Sequence, residues 1–197
     1  MAAVRKPAGP ATRPLRADAQ RNRDAILLAA RETFETEGVL ASLDAIALRA
    51  GVGNATLYRN FPTRDDLLAA VMQTSITEAL AGADELARTL PPRDALAEWL
   101  FRLTWQLRIW HDLPYCLATA FADDDSPMKT TSDPLLTRTG LFLEKAQIDT
   151  VTANEAYELI LALSWAVDRF HDDEPAARRR VATGTAGIVS DRSTKTI

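Results

Sequence analysis

Side chains that can bind nucleic acid lie close together between residues 54 and 59, in the run Asn-Ala-Thr-Leu-Tyr-Arg. In a helix, a rotation of about 100° per residue places Ala55 and Arg59 opposite the apolar Leu57, with Thr56 and Tyr58 beside them. An arginine can bind a guanine edge or a phosphate, hydroxyl groups can donate to phosphates, and a methyl group can touch the methyl of thymine. This face is therefore predicted to contact DNA in the major groove.

Two short helices joined by a turn, over residues 42–61, would present this face. Apolar residues recur at steps of three or four, at Leu43, Ile46, Ala47 and Ala50 in the first helix and at Leu57 and Phe61 in the second. Gly51 tolerates the left-handed backbone that ends the first helix. Asn54 opens the second helix, where its amide could cap the helix or reach an adenine edge. The pattern predicts a helix-turn-helix; an ordinary helical hairpin would share the spacing without needing a polar outer face.

The stretch from Ala19 to about Met72 resembles the DNA-binding domain of the TetR family of transcriptional regulators. The resemblance rests on residues 26–30 with Phe34 and Gly38, and on residues 42–47, 50–53, 56–58 and 61–64 in combination. It implies DNA contacts at Ser42, Gly53, Asn54, Thr56, Tyr58, Arg59 and Arg64. Asn54 and Asn60 depart from the family pattern, so the operator sequence does not follow from the resemblance.

Charge is divided unevenly along the 197 residues, whose formal net charge is -4. Residues 1–60 contain nine Lys+Arg and six Asp+Glu, so they carry +3 and the remainder carries -7. This asymmetry favours a basic end that faces DNA and an acidic body that does not. Residues 1–17, rich in Pro, Ala and Arg, are predicted to form a flexible basic arm, which either lies in the minor groove or along phosphates, or is a solvated tail.

Composition, with 47% hydrophobic residues, indicates a folded protein, which we expect in the cytoplasm. The longest apolar stretch, near residues 159–167, is far below the roughly 18 residues that span a bilayer, so no membrane partner is predicted. The N-terminus lacks the apolar run of a secretory signal. Cys116 is the single cysteine, which excludes an intramolecular disulfide. A buried thiol is its expected role, with redox sensing as the alternative.

Helical periodicity continues from Ala19 onward without a period-two strand, so the predicted fold class is all-α. After a helix over residues 18–37 and the two motif helices, a capping box of Thr63 and Asp66 predicts a long helix to about Leu90. Further helices are predicted over 92–110, between 114 and 123, over 133–149 and 152–170, and after residue 175. The predicted domains are the arm 1–17, a three-helix DNA-binding domain 18–64 with its helix-turn-helix motif at 42–61, and a ligand-binding and dimerisation domain 65–197.

The predicted helix over 152–170 is apolar on two sides, so it must pack on its own core and on a second surface. The resemblance implies that the second surface is a four-helix interface, made by the last two helices of each subunit in a homodimer. The interface residues predicted in this way are Tyr157, Leu161, Trp165, Val181, Gly184 and Ile188. Two-fold symmetry would set two recognition helices about 34 Å apart, which matches a palindromic operator in double-stranded DNA.

All four tryptophans lie between residues 99 and 165. The resemblance implies a cavity for a small-molecule effector in this domain, where aromatic side chains with a few polar groups suit such a site. An aromatic stripe at helical spacing also fits an ordinary core. The ligand-binding candidates are Trp99, Leu103, Gln106, Trp110, His111, Phe121, Phe142, Trp165 and Asp168, and the sequence does not identify the effector.

No pattern typical of an enzyme is present. His111 and His171 are far apart, Cys116 lacks metal-ligand spacing and no glycine-rich phosphate loop occurs, so we predict no catalytic residue, cofactor or metal. The acidic run at residues 123–125 is interpreted as a solvated loop rather than a cation site. The predicted function is that of a ligand-responsive transcriptional regulator, a repressor, in which the fourth helix couples effector to DNA. The alternative is a helical small-molecule-binding or interaction protein that has lost DNA binding.

Overall fold

The computed structural model describes residues 13–120, 123 and 125–189. Ten α-helices and no strand occur in these residues, which confirms the all-α fold class. The helices are α1 (Arg13–Glu37), α2 (Leu43–Arg49), α3 (Asn54–Asn60), α4 (Arg64–Thr89), α5 (Pro92–Leu107), α6 (Leu113–Ala120), α7 (Pro127–Lys145), α8 (Ala153–Arg169), α9 (Glu174–Gly184) and α10 (Ala186–Val189). No helix in this described part of the chain is both long and apolar enough to cross a membrane.

Both predicted capping boxes are confirmed. The Thr63 side chain accepts a hydrogen bond from the backbone N of Asp66, whose carboxylate accepts one from the Thr63 backbone N at 2.9 Å. Thr152 and Glu155 make the same reciprocal pair at the start of α8, with 2.7 Å between the Thr152 backbone N and the Glu155 carboxylate. These bonds satisfy backbone donors that have no partner inside the helix, so they fix where α4 and α8 begin.

Four predicted helix boundaries are wrong. The first helix begins at Arg13, so residues 13–17 of the predicted flexible arm are helical, and residues 1–12 lie outside the described residues. The fifth helix ends at Leu107 rather than at residue 110. The seventh ends at Lys145 rather than at residue 149, and it begins at Pro127 rather than at residue 133, because Ser126 accepts a hydrogen bond from the backbone N of Met128 and Met128 is buried. Ser126-Pro127 and Asp133-Pro134 both place a capping residue before a proline, which is typical of a helix start. The sequence pattern alone therefore does not distinguish the two positions.

A continuous apolar core joins the N-terminal helices to the rest of the chain through α4. Ile26 and Phe34 of α1 are completely buried, as are Leu67 and Leu68 of α4, and the same core extends to Trp99 of α5. The helix α4 packs on α1, α5 and α7. The helix that the sequence predicts to couple effector to DNA thus contacts both α1 and the helices α5 and α7.

Candidate nucleic-acid interface and ligand cavities

The pair α2 and α3 has the geometry of a helix-turn-helix. Ile46 and Ala47 of α2 and Leu57 of α3 are buried, so each helix turns one face inward. Gly51 adopts a positive φ of 69°, as predicted for the residue that ends α2. The backbone N of Val52 then donates to the Ala47 carbonyl oxygen at 3.0 Å, which closes the turn. Burial of one face leaves the opposite face of α3 open to solvent.

The open face of α3 carries the side chains that the sequence predicted. Ala55, Tyr58 and Arg59 are exposed and Thr56 is half-buried, while Leu57 behind them is 1% exposed. Arg59 makes no hydrogen bond or ion pair with any residue that the structure describes. An unpaired guanidinium beside two hydroxyl groups offers donors to an anionic surface, and the face has no carboxylate of its own.

Three of the four remaining predicted DNA-contacting residues, Ser42, Asn54 and Arg64, have side-chain hydrogen bonds within the chain. The exposed Ser42 caps α2, its hydroxyl oxygen accepting from the backbone N of Ala45 at 3.4 Å. Asn54 does not cap α3, so that interpretation is wrong: Gly53 is the N-cap, and Asn54 Nδ2 donates to Asp44 Oδ1 at 2.8 Å. Gly53 is exposed, with nothing within 4 Å of where a Cβ would lie. Another molecule can therefore approach the protein backbone closely at Gly53.

Arg64, the last predicted DNA contact, is turned toward the chain instead. Its Nη1 donates to the carbonyl oxygens of Val39 at 2.8 Å and Ala41 at 2.6 Å, and the side chain is half-buried. Arg64 thereby ties the start of α4 to the loop between α1 and α2. Arg23 supports the other end of the motif, with its guanidinium 4.4 Å above the Phe61 ring. Sequence reasoning missed both roles, because no local pattern reports contacts between distant segments.

The loop after α1 also contacts the segment between α5 and α6. The backbone N of Val39 donates to the His111 carbonyl oxygen at 3.0 Å. Gly38 has a φ of 88°, and a Cβ there would lie 3.2 Å from Asp112 Oδ2 and 3.3 Å from His111 Cβ. The loop that Arg64 holds is thus closely packed against the region predicted to sense the ligand.

The predicted ligand-binding residues do not meet in one cavity. Leu103, Gln106 and Trp110 line a small cavity between α4, α5 and α7, here called the inner cavity, whose volume is about 10 Å³. Its lining residues are Met72, Ser75, Ile76, Ala79, Leu103, Gln106, Leu107, Trp110 and Leu135. A groove of about 380 Å³ between α4 and α5, here called the α4–α5 groove, shares part of that lining. It is lined by Glu78, Ala79, Gly82, Trp99, Arg102, Leu103, Trp105 and Gln106.

Other candidates lie elsewhere. Phe142 packs on Trp99 with 5.5 Å between ring centroids, and both rings are buried in the core. Trp165 is 52% exposed on α8 and lines neither the groove nor the inner cavity. Phe121 lies outside the described residues.

His111 and Asp168 line a separate cleft of about 290 Å³ beside the end of α1, together with Arg108 and His171. The His111 Nδ1 lies 2.8 Å from Asp168 Oδ2. Burial lowers the pKa of Arg108, whose guanidinium lies 3.3 Å above the Trp105 ring.

Among the described residues no group of three His, Cys, Asp or Glu side chains could hold a metal ion. Cys116 is half-buried, and burial raises the pKa of its thiol.

Four of the six predicted interface residues pack inside their own chain. Tyr157, Leu161, Val181 and Ile188 are each at most 7% exposed, so their side chains are not available to a second subunit. This part of the prediction is wrong, because α8, α9 and α10 use those positions to pack on the helices of their own chain. Gly184 is exposed but lies against Leu163, since a Cβ there would be 2.9 Å from Leu163 Cδ2. Trp165 is the predicted interface side chain that stays on the surface.

Comparison with known proteins adds to this geometry. A sequence model of the family described as bacterial regulatory proteins, tetR family, matches residues 26–71, from α1 to the first part of α4. The HTH-type transcriptional activator FasR from Mycolicibacterium smegmatis is 35% identical over 86 residues. Those residues are 43% of this chain and 39% of FasR, so the match spans about two fifths of that relative.

Solved structures match over most of the chain. The TetR transcriptional regulator SCO0520 from Streptomyces coelicolor is 27% identical with a TM-score of 0.53, and the match covers 85% of this chain and 98% of that one. The TetR-like transcriptional regulator LfrR from Mycobacterium smegmatis, solved in complex with proflavine, is 22% identical with a TM-score of 0.58. That match covers 88% of this chain and 99% of LfrR, and it shows a shared fold.

Proposed function

We propose that this chain, which belongs to the TetR family of bacterial regulatory proteins, binds double-stranded DNA and releases it when a small molecule binds. The observation that carries the proposal is the outer face of α3. There Arg59 has no partner among the described residues, and Tyr58 stands 46% exposed beside it. A helix with one buried face and an open polar face is suited to lie in a major groove. The same membership places the chain among regulators rather than enzymes.

The contacts follow from the positions of the side chains. Arg59 is proposed to bind a guanine edge or a phosphate, Tyr58 and Thr56 to donate to phosphates, and Ala55 to touch a thymine methyl. Ser42 and the backbone of Gly53 lie at the starts of the two motif helices, where backbone N–H groups favour phosphate oxygens. Asn54, whose Nδ2 donates to Asp44 Oδ1 in the free protein, is also proposed to contact the DNA. In place of a DNA contact, we assign Arg64 the role of a brace for the loop at residues 39–41.

A homodimer on a palindromic operator is part of the proposal. Trp165 and Phe170 are 52% and 63% exposed at the end of α8, which leaves large apolar rings for a second copy to cover. A two-fold axis would then set the two α3 helices about 34 Å apart, one turn of DNA. In sedimentation, we expect Trp165→Glu to give monomers, while Leu141→Glu, at a residue 45% exposed on α7, leaves the dimer intact.

The effector is proposed to act in the domain formed by α4 to α10, and the protein to act in the cytoplasm. LfrR, which shares the fold, has been solved with proflavine bound. The helix α4 contacts both the α5 and α7 helices and α1, so an effector that moves α4 changes the separation of the recognition helices. A switch from 1:99 to 99:1 requires the effector to favour the released form by about 5.5 kcal/mol.

The test is fluorescence anisotropy with duplexes from the DNA upstream of the coding sequence, unrelated duplex as competitor and a salt titration. Specific, salt-sensitive binding by a dimer supports the proposal. Binding that the competitor abolishes on every upstream duplex would favour the alternative, a small-molecule-binding protein that no longer uses α3. A reporter gene under the bound operator then decides between repression, which we propose, and the activation that the name of FasR describes for that relative.

A further inference from the structure

The side chain of Trp110 contains a buried polar group, the indole N–H. Trp110 is 1% exposed, and its Nε1 has no hydrogen-bond partner among the described residues. Trp99, which is equally buried, donates from Nε1 to the hydroxyl oxygen of Thr139 at 2.9 Å. Leaving a buried donor unpaired is costly, and few such groups occur in folded proteins. An acceptor that enters beside Trp110 would remove this cost.

The space beside Trp110 is apolar and uncharged. Trp110 lines the inner cavity, to which Met72, Ile76, Leu107 and Leu135 contribute apolar side chains. No side chain that lines this cavity is ionisable at neutral pH. The backbone carbonyl oxygen of Ser75, which could have accepted from a ligand, already accepts from Gln106 Nε2 at 2.7 Å. A charged guest would lose its hydration there without gaining a partner of opposite charge.

The inner cavity has an approach from solvent. Ala79, Leu103 and Gln106 line both it and the α4–α5 groove, so these three residues form the boundary between the two spaces. The groove is large enough for a small organic molecule at about 380 Å³. At about 10 Å³ the inner cavity holds at most one water molecule. A ligand that passes from groove to cavity must displace Gln106 and separate α4 from α5.

We propose that the inner cavity, entered from the α4–α5 groove, binds a neutral, apolar molecule that carries one hydrogen-bond acceptor, and that Trp110 Nε1 donates to that acceptor. Entry separates α4 from α5. Because Arg64 fixes the start of α4 to the loop at residues 39–41, the shift reaches the DNA-reading helices. The cavity and the Trp110 indole define the binding site independently of DNA binding. The transmission of the α4 shift to the DNA-reading helices, by contrast, rests on the proposed function.

Two probes of nearly the same shape test the site: acetophenone, and α-methylstyrene, in which a =CH₂ group replaces the carbonyl oxygen. Binding to the DNA-free protein is measured by calorimetry. We expect acetophenone to bind about 3- to 10-fold more tightly than α-methylstyrene, which corresponds to the net free energy of one hydrogen bond. The charged analogues benzoate and benzyltrimethylammonium should bind more weakly than either. Equal affinities for the two neutral probes, no binding of either, or tighter binding of a charged analogue would overturn the proposal.

Variants then identify the donor. Trp110→Phe should remove the preference for acetophenone, whereas Trp99→Phe, which deletes an indole N–H already bonded to Thr139, should keep it. Nitrogen-15 NMR of the unmutated protein gives the same information without a variant, because the Trp110 indole N–H resonance should shift with acetophenone and not with α-methylstyrene. A preference that survives Trp110→Phe, or an unmoved Trp110 resonance, contradicts the assignment. Acetophenone that binds through Trp110 without changing operator affinity would leave the site standing and refute its role as the effector site.

Discussion

Replacing Arg64 separates the two roles that an arginine at the start of α4 can have. Its Nη1 donates to two backbone carbonyl oxygens, those of Val39 and Ala41, at 2.8 and 2.6 Å. Hydrogen bonds from a charged donor contribute about 1.5–3 kcal/mol each, and the half-buried position favours the lower end of that range. Allowing for residual solvation of the freed carbonyls, we expect Arg64→Ala to lower the free energy of unfolding by about 2 kcal/mol. For a chain of this size that corresponds to a fall in Tm of about 4–8 °C.

The salt dependence of DNA binding distinguishes a brace from a phosphate contact. Each phosphate neutralised by a basic side chain adds about 0.9 to the slope of log affinity against log salt concentration. If Arg64 is a brace, Arg64→Ala weakens binding to all duplexes because the loop at residues 39–41 loosens, but the slope stays that of the unmutated protein. Operator binding is measured by anisotropy over a range of KCl concentrations, and unfolding is followed by circular dichroism.

Arg64→Lys serves as the matched variant, since it keeps the positive charge but presents a compact ammonium in place of the planar guanidinium. We expect it to lose most of the stability that Arg64→Ala loses and to keep the salt slope. An unchanged Tm in Arg64→Ala, together with a slope reduced by about 0.9, would refute the structural assignment and restore the phosphate contact that the sequence predicted.

Further changes test other parts of the molecule. Arg59→Ala should weaken operator binding by about 1–3 kcal/mol if Arg59 reads a base, whereas Arg88→Ala removes the same charge in the last turn of α4 and should leave anisotropy titrations unchanged. Gly38→Ala should lower the free energy of unfolding by more than about 1 kcal/mol because φ is 88°, while Gly53→Ala, at φ -76° in open space, should cost less in the same denaturation assay. Burial raises the pKa of Tyr157 to about 12, above its usual 10.0, so stability present below pH 10 should be lost as the pH rises toward 12. That loss is up to about 3 kcal/mol at 1.36 kcal/mol per pKa unit, and alkaline unfolding curves of Tyr157→Phe should lack it.

The helix-turn-helix could be predicted from sequence because local rules specify it. Leu57 and Arg59 fall on opposite sides of α3 by helical geometry alone, and the positive φ of Gly51 follows from the need to end α2. The capping boxes at Thr63 and Thr152 join residues three positions apart. Interactions of this range are largely independent of the rest of the fold, so a sequence pattern is enough to identify them.

The partners of single side chains depend on which helices pack together. Arg64 meets carbonyl groups 25 and 23 residues away, and His111 meets Asp168 across 57 residues. Periodicity identified two apolar sides of α8, but only packing buried Tyr157 within its own chain and left Trp165 exposed. The sequence by itself determined the all-α architecture, the helix-turn-helix and the polar face of α3. The tertiary structure decided that Arg64 bonds to a distant loop and that Trp110 Nε1, beside a cavity, has no hydrogen-bond partner among the described residues. Such contacts join segments whose separation in the chain carries no repeating signal, so the sequence pattern does not report them.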